Sequence, residues 1–181
     1  EIMVVKINDF MPDESDLGTV HSEGSMTSII DANGNLIMCG LNADGQLGSE
    51  IPEKKSTYSL VSTDIKYACG SSNLAVISKD DKLYVRKYDG NEALPNEKNV
   101  DLGMYKVADE VVDVEVWGDV CAYVTNDGEL YAMGSPRGSF GDSGNTIWSA
   151  EPIKIMDNIR DIELSTNYDY GTTFAAITKE N

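Results

Sequence analysis

"VCAYVTNDGELYAMG", Val120 to Gly134, is the stretch that decides the fold. Two largely apolar, β-prone runs, "CAYVT" and "ELYAM", flank the turn residues "NDG". Paired β-prone runs around Asn-Gly or Asp-Gly predict a hairpin. The reason is steric. A tight primed turn needs positive φ, which Gly and Asn tolerate and other residues resist.

The same phrase recurs upstream. "MTSIIDANGNLIMCG" runs from Met26 to Gly40 and "NLAVISKDDKLYVRK" from Asn73 to Lys87. Leu36, Leu83 and Leu130 stand at a constant spacing of 47 residues, and so do Ile30, Ile77 and Val124. A fixed period of that size marks a repeat architecture. Before each hairpin lies a short apolar run: "IKYACG" at Ile65, "VVDVEVWG" at Val111 and "IRDIELS" at Ile159. In the second of these, Val112, Val114 and Val116 alternate as one face of a strand. After the hairpins come "TYSLV" (Thr57 to Val61) and "EPIKI" (Glu151 to Ile155).

Each unit therefore holds about four short strands, and no window carries a helical stripe. Four strands per repeat of 40–50 residues is the arithmetic of a β-propeller blade. The expected fold is all-β: about three complete four-stranded antiparallel blades plus a partial one. The units fall at residues 17–63, 64–110 and 111–158, with a partial unit at 159–181 and residues 1–16 ending a preceding unit. "VVKI" (Val4 to Ile7) is similar to "PIKI" (Pro152 to Ile155), and Asn181 aligns with the turn glycines Gly34 and Gly128. The chain is thus expected to be part of a longer propeller, ahead of one completed by a second chain or a small ring of about four blades.

The glycine-rich "GLNADGQLG", Gly40 to Gly48, carries a resemblance. With the preceding hairpin, Gly34, Leu36, Gly40, Asn42, Gly45, Gln46, Leu47 and Gly48 resemble the repeat of the regulator-of-chromosome-condensation (RCC1-like) family, in which G-x-L-Y-x-W-G precedes G-Q-L-G. In the third copy "DGELYAMG" matches and "RGSFG" (Arg137 to Gly141) stands at the corner. The second copy, "DDKLYVRKYDG", has lost most of its glycines, and the family's Trp is replaced by Met38 or Cys39, Arg86 and Met133. The resemblance implies a propeller of typically seven blades. It also implies roles such as nucleotide exchange on a small GTPase, chromatin binding or scaffolding.

Charge narrows those roles. Thirty-one acidic against fourteen basic residues give a net charge of −17. A surface so negative repels phosphate backbones, so no nucleic-acid partner is expected. No apolar run approaches the roughly 18 residues of a membrane span. Cys39, Cys69 and Cys121 are widely spaced, form no C-x-x-C pair and sit in or beside apolar runs. They read as buried free thiols, with no metal site. No cofactor is expected. The missing secretion signal leaves the compartment open, since the chain begins at Glu1.

Several sharper motifs fail on context. "GDSGN" (Gly141 to Asn145) is similar to the surroundings of a trypsin-like serine, but the single His21 lies in "TVHSEGS" and the repeat excludes that barrel. "DANGN" from Asp31 would need Gly and Glu where Leu36 and Asn42 stand if it were a calcium loop. No P-loop is present.

The binding candidates sit in the loops between the first two strands of each unit. These are His21 in copy one, Trp117 and Asp119 in copy three, and Tyr168 and Tyr170 in copy four, where "STNYDYGTT" is five residues longer than its counterparts. Ser72 and Asn73 hold the place in copy two. Loops carry function on a repeated scaffold, and aromatic side chains supply contact area at low entropic cost. The expected function is a protein–protein interaction module that binds a protein partner through one face, with self-association through open blade edges as a further possibility. The alternatives are a lyase or hydrolase in the central cleft and a guanine-nucleotide-exchange regulator.

Overall fold

In this computed structural model the described residues are 18–23, 26–43, 45, 47, 54–70, 73–86, 104–118, 120–134, 149–167 and 171–179. They form three four-stranded antiparallel meanders and a terminal hairpin. The first sheet holds β1 (Thr19–Glu23), β2 (Met26–Ile30), β3 (Leu36–Leu41) and β4 (Lys54–Ser62). The second holds β5 (Ile65–Cys69), β6 (Leu74–Ser78), β7 (Leu83–Arg86) and β8 (Tyr105–Ala108). The third holds β9 (Val111–Trp117), β10 (Val120–Thr125), β11 (Leu130–Gly134) and β12 (Ser149–Met156). β13 (Ile159–Asn167) pairs with β14 (Gly171–Thr178). No α-helix occurs among the described residues, so none is long and apolar enough to cross a membrane. The all-β blade architecture expected from the repeat is what the chain adopts.

The middle strands of the second and third sheets are apolar on both faces, because each of these sheets is sandwiched between two neighbours. One core joins the first and second sheets through Met26, Ile30, Leu36 and Met38 against Ile65, Ala68, Leu74 and Val76. The next joins Ala75, Ile77, Leu83 and Val85 to Val111, Val114, Val116 and Tyr123. The third joins Ala122, Val124, Leu130 and Ala132 to Ile159 and Ile162. Each large aliphatic buried in these seams contributes roughly 1.5–3 kcal/mol. The cysteines Cys39, Cys69 and Cys121 are free and buried, as their apolar settings predicted.

The turns between second and third strands differ from the tight primed turns expected. In each, a residue closes an ordinary turn and only the last position has positive φ. Gly34 donates to the Asp31 carbonyl at 2.9 Å, Asp81 to Ser78 at 3.0 Å and Gly128 to Thr125 at 2.8 Å. The φ values are 84° at Gly34, 63° at Asp81 and 85° at Gly128. This is a type I turn followed by a left-handed residue, which also matches strand twist. At the head of each turn a side-chain acceptor caps the amide four residues on: Asp31 Oδ1 for Asn35 at 2.9 Å, Ser78 Oγ for Lys82 at 3.1 Å, Thr125 Oγ1 for Glu129 at 3.2 Å.

The alternation read in β9 also needs correction. Val114 and Val116 are buried, but Val112 is 45% exposed and Val111 fully buried. The pairing shifts register between Val124 and Thr125, which face Asp113 and Val111 respectively. This bulge turns Val112 outward.

Candidate functional site

The direction of the strands sorts the connections onto two faces. The left-handed residue of each second-to-third turn accepts a hydrogen bond from the first residue of the next sheet. Ile65 N–H donates to Gly34 at 2.9 Å, Val111 to Asp81 at 2.8 Å and Ile159 to Gly128 at 2.9 Å. Within each following sheet, the Lys79, Asn126 and Lys179 N–H groups donate to Asp64, Glu110 and Asn158 at 2.7, 2.7 and 2.8 Å, closing the outer ends of the first and second strands. Lys79 also reaches the Asn33 carbonyl with its ammonium, and Lys179 the Asn126 carbonyl at 3.4 Å. This turn face is therefore spent on stapling one sheet to the next.

Because the first strand of every sheet starts at the turn face, its end lies at the opposite face. Glu23, Cys69, Trp117 and Asn167 mark those ends. The connections between third and fourth strands also depart from that face. One of them is "GLNADGQLG". There Asn42 Oδ1 accepts the Leu47 N–H at 2.6 Å, and Leu47 is buried in the core between the first and second sheets. The described part of the glycine-rich stretch is a corner packed on the core, as its repeat position implied.

The loop face holds the sequence candidates that fall within the described residues. His21 is half-buried in β1, opposite Ser28, whose hydroxyl donates to the His21 carbonyl at 3.5 Å. Trp117 ends β9 opposite Val120 and is half-buried. The two belong to the first and third sheets and are not brought into one cluster. Asp119, Tyr168 and Tyr170 lie outside the described residues, as does Ser72. Asn73 is buried, and its side-chain amide donates to the Gly118 carbonyl in the loop after Trp117. One sheet thus fixes the loop of the next.

Beneath that loop the first strands carry polar groups not singled out from the sequence. The Tyr67 hydroxyl meets Glu115 Oε1 at 3.2 Å, and Cys69 Sγ donates to the Val114 carbonyl at 3.2 Å. Asp113 Oδ2 accepts the Ile162 N–H at 3.0 Å. Burial pushes the Asp113 carboxyl above its ordinary range. The bond from Ile162 partly offsets this, and Asp161 adds to the push. Burial chiefly, with Cys69 and the nearby carboxylates, pushes the Tyr67 phenol well up. Burial raises the Cys121 thiol to about 12. These bonds join residues about one repeat apart. That spacing is the signal that could have revealed them: polar residues at matching positions of neighbouring units. Each named carboxylate bond crosses a seam between sheets, a structural use. Among the described residues no group of His, Cys, Asp or Glu could hold a metal ion.

No protein-family model matches the chain, and no curated protein matches it in sequence. Solved structures do match. Human WBSCR16 superposes with a TM-score of 0.67 at 19% identity, over 81% of this chain and 42% of that one. Yeast RCC1 (Prp20), in its complex with Kap60, gives 0.66 at 16% identity, over 81% and 40%. Prp20p from Saccharomyces cerevisiae, described with its binding to Gsp1p and histones, gives 0.66 at 12% identity, over 91% and 46%. The chain spans less than half the length of these neighbours. At such identities the match speaks for fold, and it agrees with the repeat, the meanders and the stapled turns: this chain folds as an array of β-propeller blades similar to those of RCC1.

Proposed function

We propose that this chain is a protein-binding module that engages its partner through the loop face, with Trp117, His21, Asp119, Tyr168 and Tyr170 as contact residues. The observation that carries the reading is the division of labour between faces. The turn face is consumed by hydrogen bonds between sheets, whereas the loop face carries variable connections on a rigid scaffold. The anchoring of Gly118 by Asn73 supports it further, because a preordered loop loses less entropy on binding. Two of the fold neighbours are described with protein partners, Kap60 in one case and Gsp1p and histones in the other. The net charge of −17 favours a basic protein surface over nucleic acid.

The test is partner capture from extracts of the source cells. Tyr168→Ala combined with Tyr170→Ala, and Trp117→Ala separately, should each lower capture by about tenfold or more, the range of interface hot spots. Asp127→Ala, on the turn face, should leave capture unchanged. Equal capture by all the variants would refute the assignment to the loop face.

A further inference from the structure

Two seams carry a polar contact at the same register place, and the two contacts differ in how they hold a proton. Tyr67 on β5 pairs with Ile77, and Asp113 on β9 pairs with Val124. Ile77 and Val124 are repeat counterparts, so Tyr67 and Asp113 hold the same position in successive sheets. Each reaches across its seam to the first strand of the following sheet. The Tyr67 hydroxyl donates to Glu115 Oε1 at 3.2 Å. Asp113 Oδ2 accepts the Ile162 N–H at 3.0 Å, and its carboxyl is also in hydrogen-bond contact with that of Asp161.

A phenol brings its own proton to such a contact at neutral pH, whereas a carboxyl brings one only in its acid form. Two ionised carboxylates cannot hydrogen-bond each other, and at close range they repel. Asp113 is half-buried, and Asp161 lies on the exposed side of the pair. From β5 the group near Asp113 is Tyr67, from β10 the apolar Val124 and from β13 Asp161. Glu115 follows two places along its own strand, and Glu163 two places beyond Asp161. None of these side chains is a cation. The Ile162 and Val114 N–H groups favour the ionised form of Asp113, but burial, the largest influence, and Asp161 outweigh them.

We propose that the seam between β9 and β13 is a proton-operated latch. With one proton shared between Asp113 and Asp161, the two sheets are joined side chain to side chain, as Tyr67 and Glu115 join the pair before them. The closed seam holds this proton more tightly than an open one, so closure weakens as pH rises above the ordinary carboxylate range. The two carboxylates then oppose each other, and the hairpin of β13 and β14 opens more often from the third sheet. The apolar contacts of Ile159 and Ile162 with Val124 and Leu130 persist and keep it in place between openings. The seam between β5 and β9 stays latched, because burial chiefly holds the Tyr67 phenol in its protonated form. The array thus has one pH-sensitive joint beside an insensitive one. β9 ends at Trp117, so the joint lies on a strand that carries a proposed contact residue; only that consequence rests on the loop-face reading.

Native-state amide exchange of the intact chain tests this, expressed as protection factors so that the intrinsic effect of pH on exchange cancels. Ile159 N–H donates across the third seam to Gly128, and Val111 N–H across the second to Asp81. Between about pH 4 and about pH 7.5, protection at Ile159 and Ile162 should fall several-fold, while that at Val111 stays level. Asp113→Asn keeps an oxygen for the Ile162 N–H and a donor for Asp161 at every pH, and should hold Ile159 protection level. Asp161→Asn, at an exposed position, should reduce the fall by removing the opposing charge. Level protection at Ile159 in the wild type overturns the latch, as does a fall that is undiminished in both variants. An equal fall at Val111 and Ile159 also overturns it, since the whole chain rather than one seam then responds. Partner capture plays no part in these readings, so failure of the loop-face function and failure of the latch are told apart.

Discussion

At the scale of single residues, the left-handed turn position is the most exacting. A Cβ added at Gly128 would stand 2.9 Å from the Ile159 carbonyl oxygen and 2.7 Å from the Lys179 side chain. Gly128→Ala should therefore cost at least about 1–2 kcal/mol in urea unfolding, the left-handed penalty alone, and should loosen the terminal hairpin first. Gly45, with positive φ but open space around it, should cost no more than that conformational penalty. Asp113 makes a second prediction. Its folded pKa is raised by burial, so the folded state binds this proton more tightly than the unfolded chain. Its contribution is present below the ordinary carboxylate pKa and is lost as pH rises above it. Asp113→Asn keeps an oxygen for the Ile162 N–H. The variant should gain stability relative to wild type between acid and neutral pH, measured by denaturant midpoints at both. No change in the difference would contradict the burial of a charged group. The three thiols should resist a water-soluble thiol reagent until the chain unfolds, since burial raises Cys39 and Cys121 and hides all three.

At the scale of elements, the repeat made most strands legible. Leu36, Leu83 and Leu130 recur in register because each must fill the same place in a blade, and all three are fully buried. What stayed hidden needed a partner outside the unit. Asp81 stands where two copies have glycine, so the second copy looked degenerate, yet it takes the same left-handed φ and makes the same staple to Val111. Its carboxylate pairs with Lys66, which lowers the Asp81 pKa. The exposure of Val112 depends on a bulge that alternation alone does not signal. Of the site, Trp117 and His21 read as loop residues, whereas Trp117 is the last residue of β9 and His21 the middle residue of β1; the bond from Asn73 to the Gly118 carbonyl was not visible. Asn73→Ala should speed amide exchange around Gly118 and weaken partner capture by a few-fold, while Asn33→Ala, at the turn face, should change neither.

At the scale of the whole molecule, the described residues form a repeated scaffold whose turn face carries hydrogen bonds between sheets, and the proposed recognition uses the opposite face. The seams give stability by apolar burial, and the staples fix the angle between sheets. The proposed basic partner rests on the net charge of −17. Binding to a basic partner should weaken as salt rises, which capture over a salt series would check; capture that does not change with salt would count against a basic partner. The most direct measurement is site-specific photo-crosslinking. A photoreactive residue placed at Trp117, on the loop face, should crosslink the captured partner, and the same residue at Asp127, on the turn face, should not. Crosslinking from Asp127 with none from Trp117 would contradict the account.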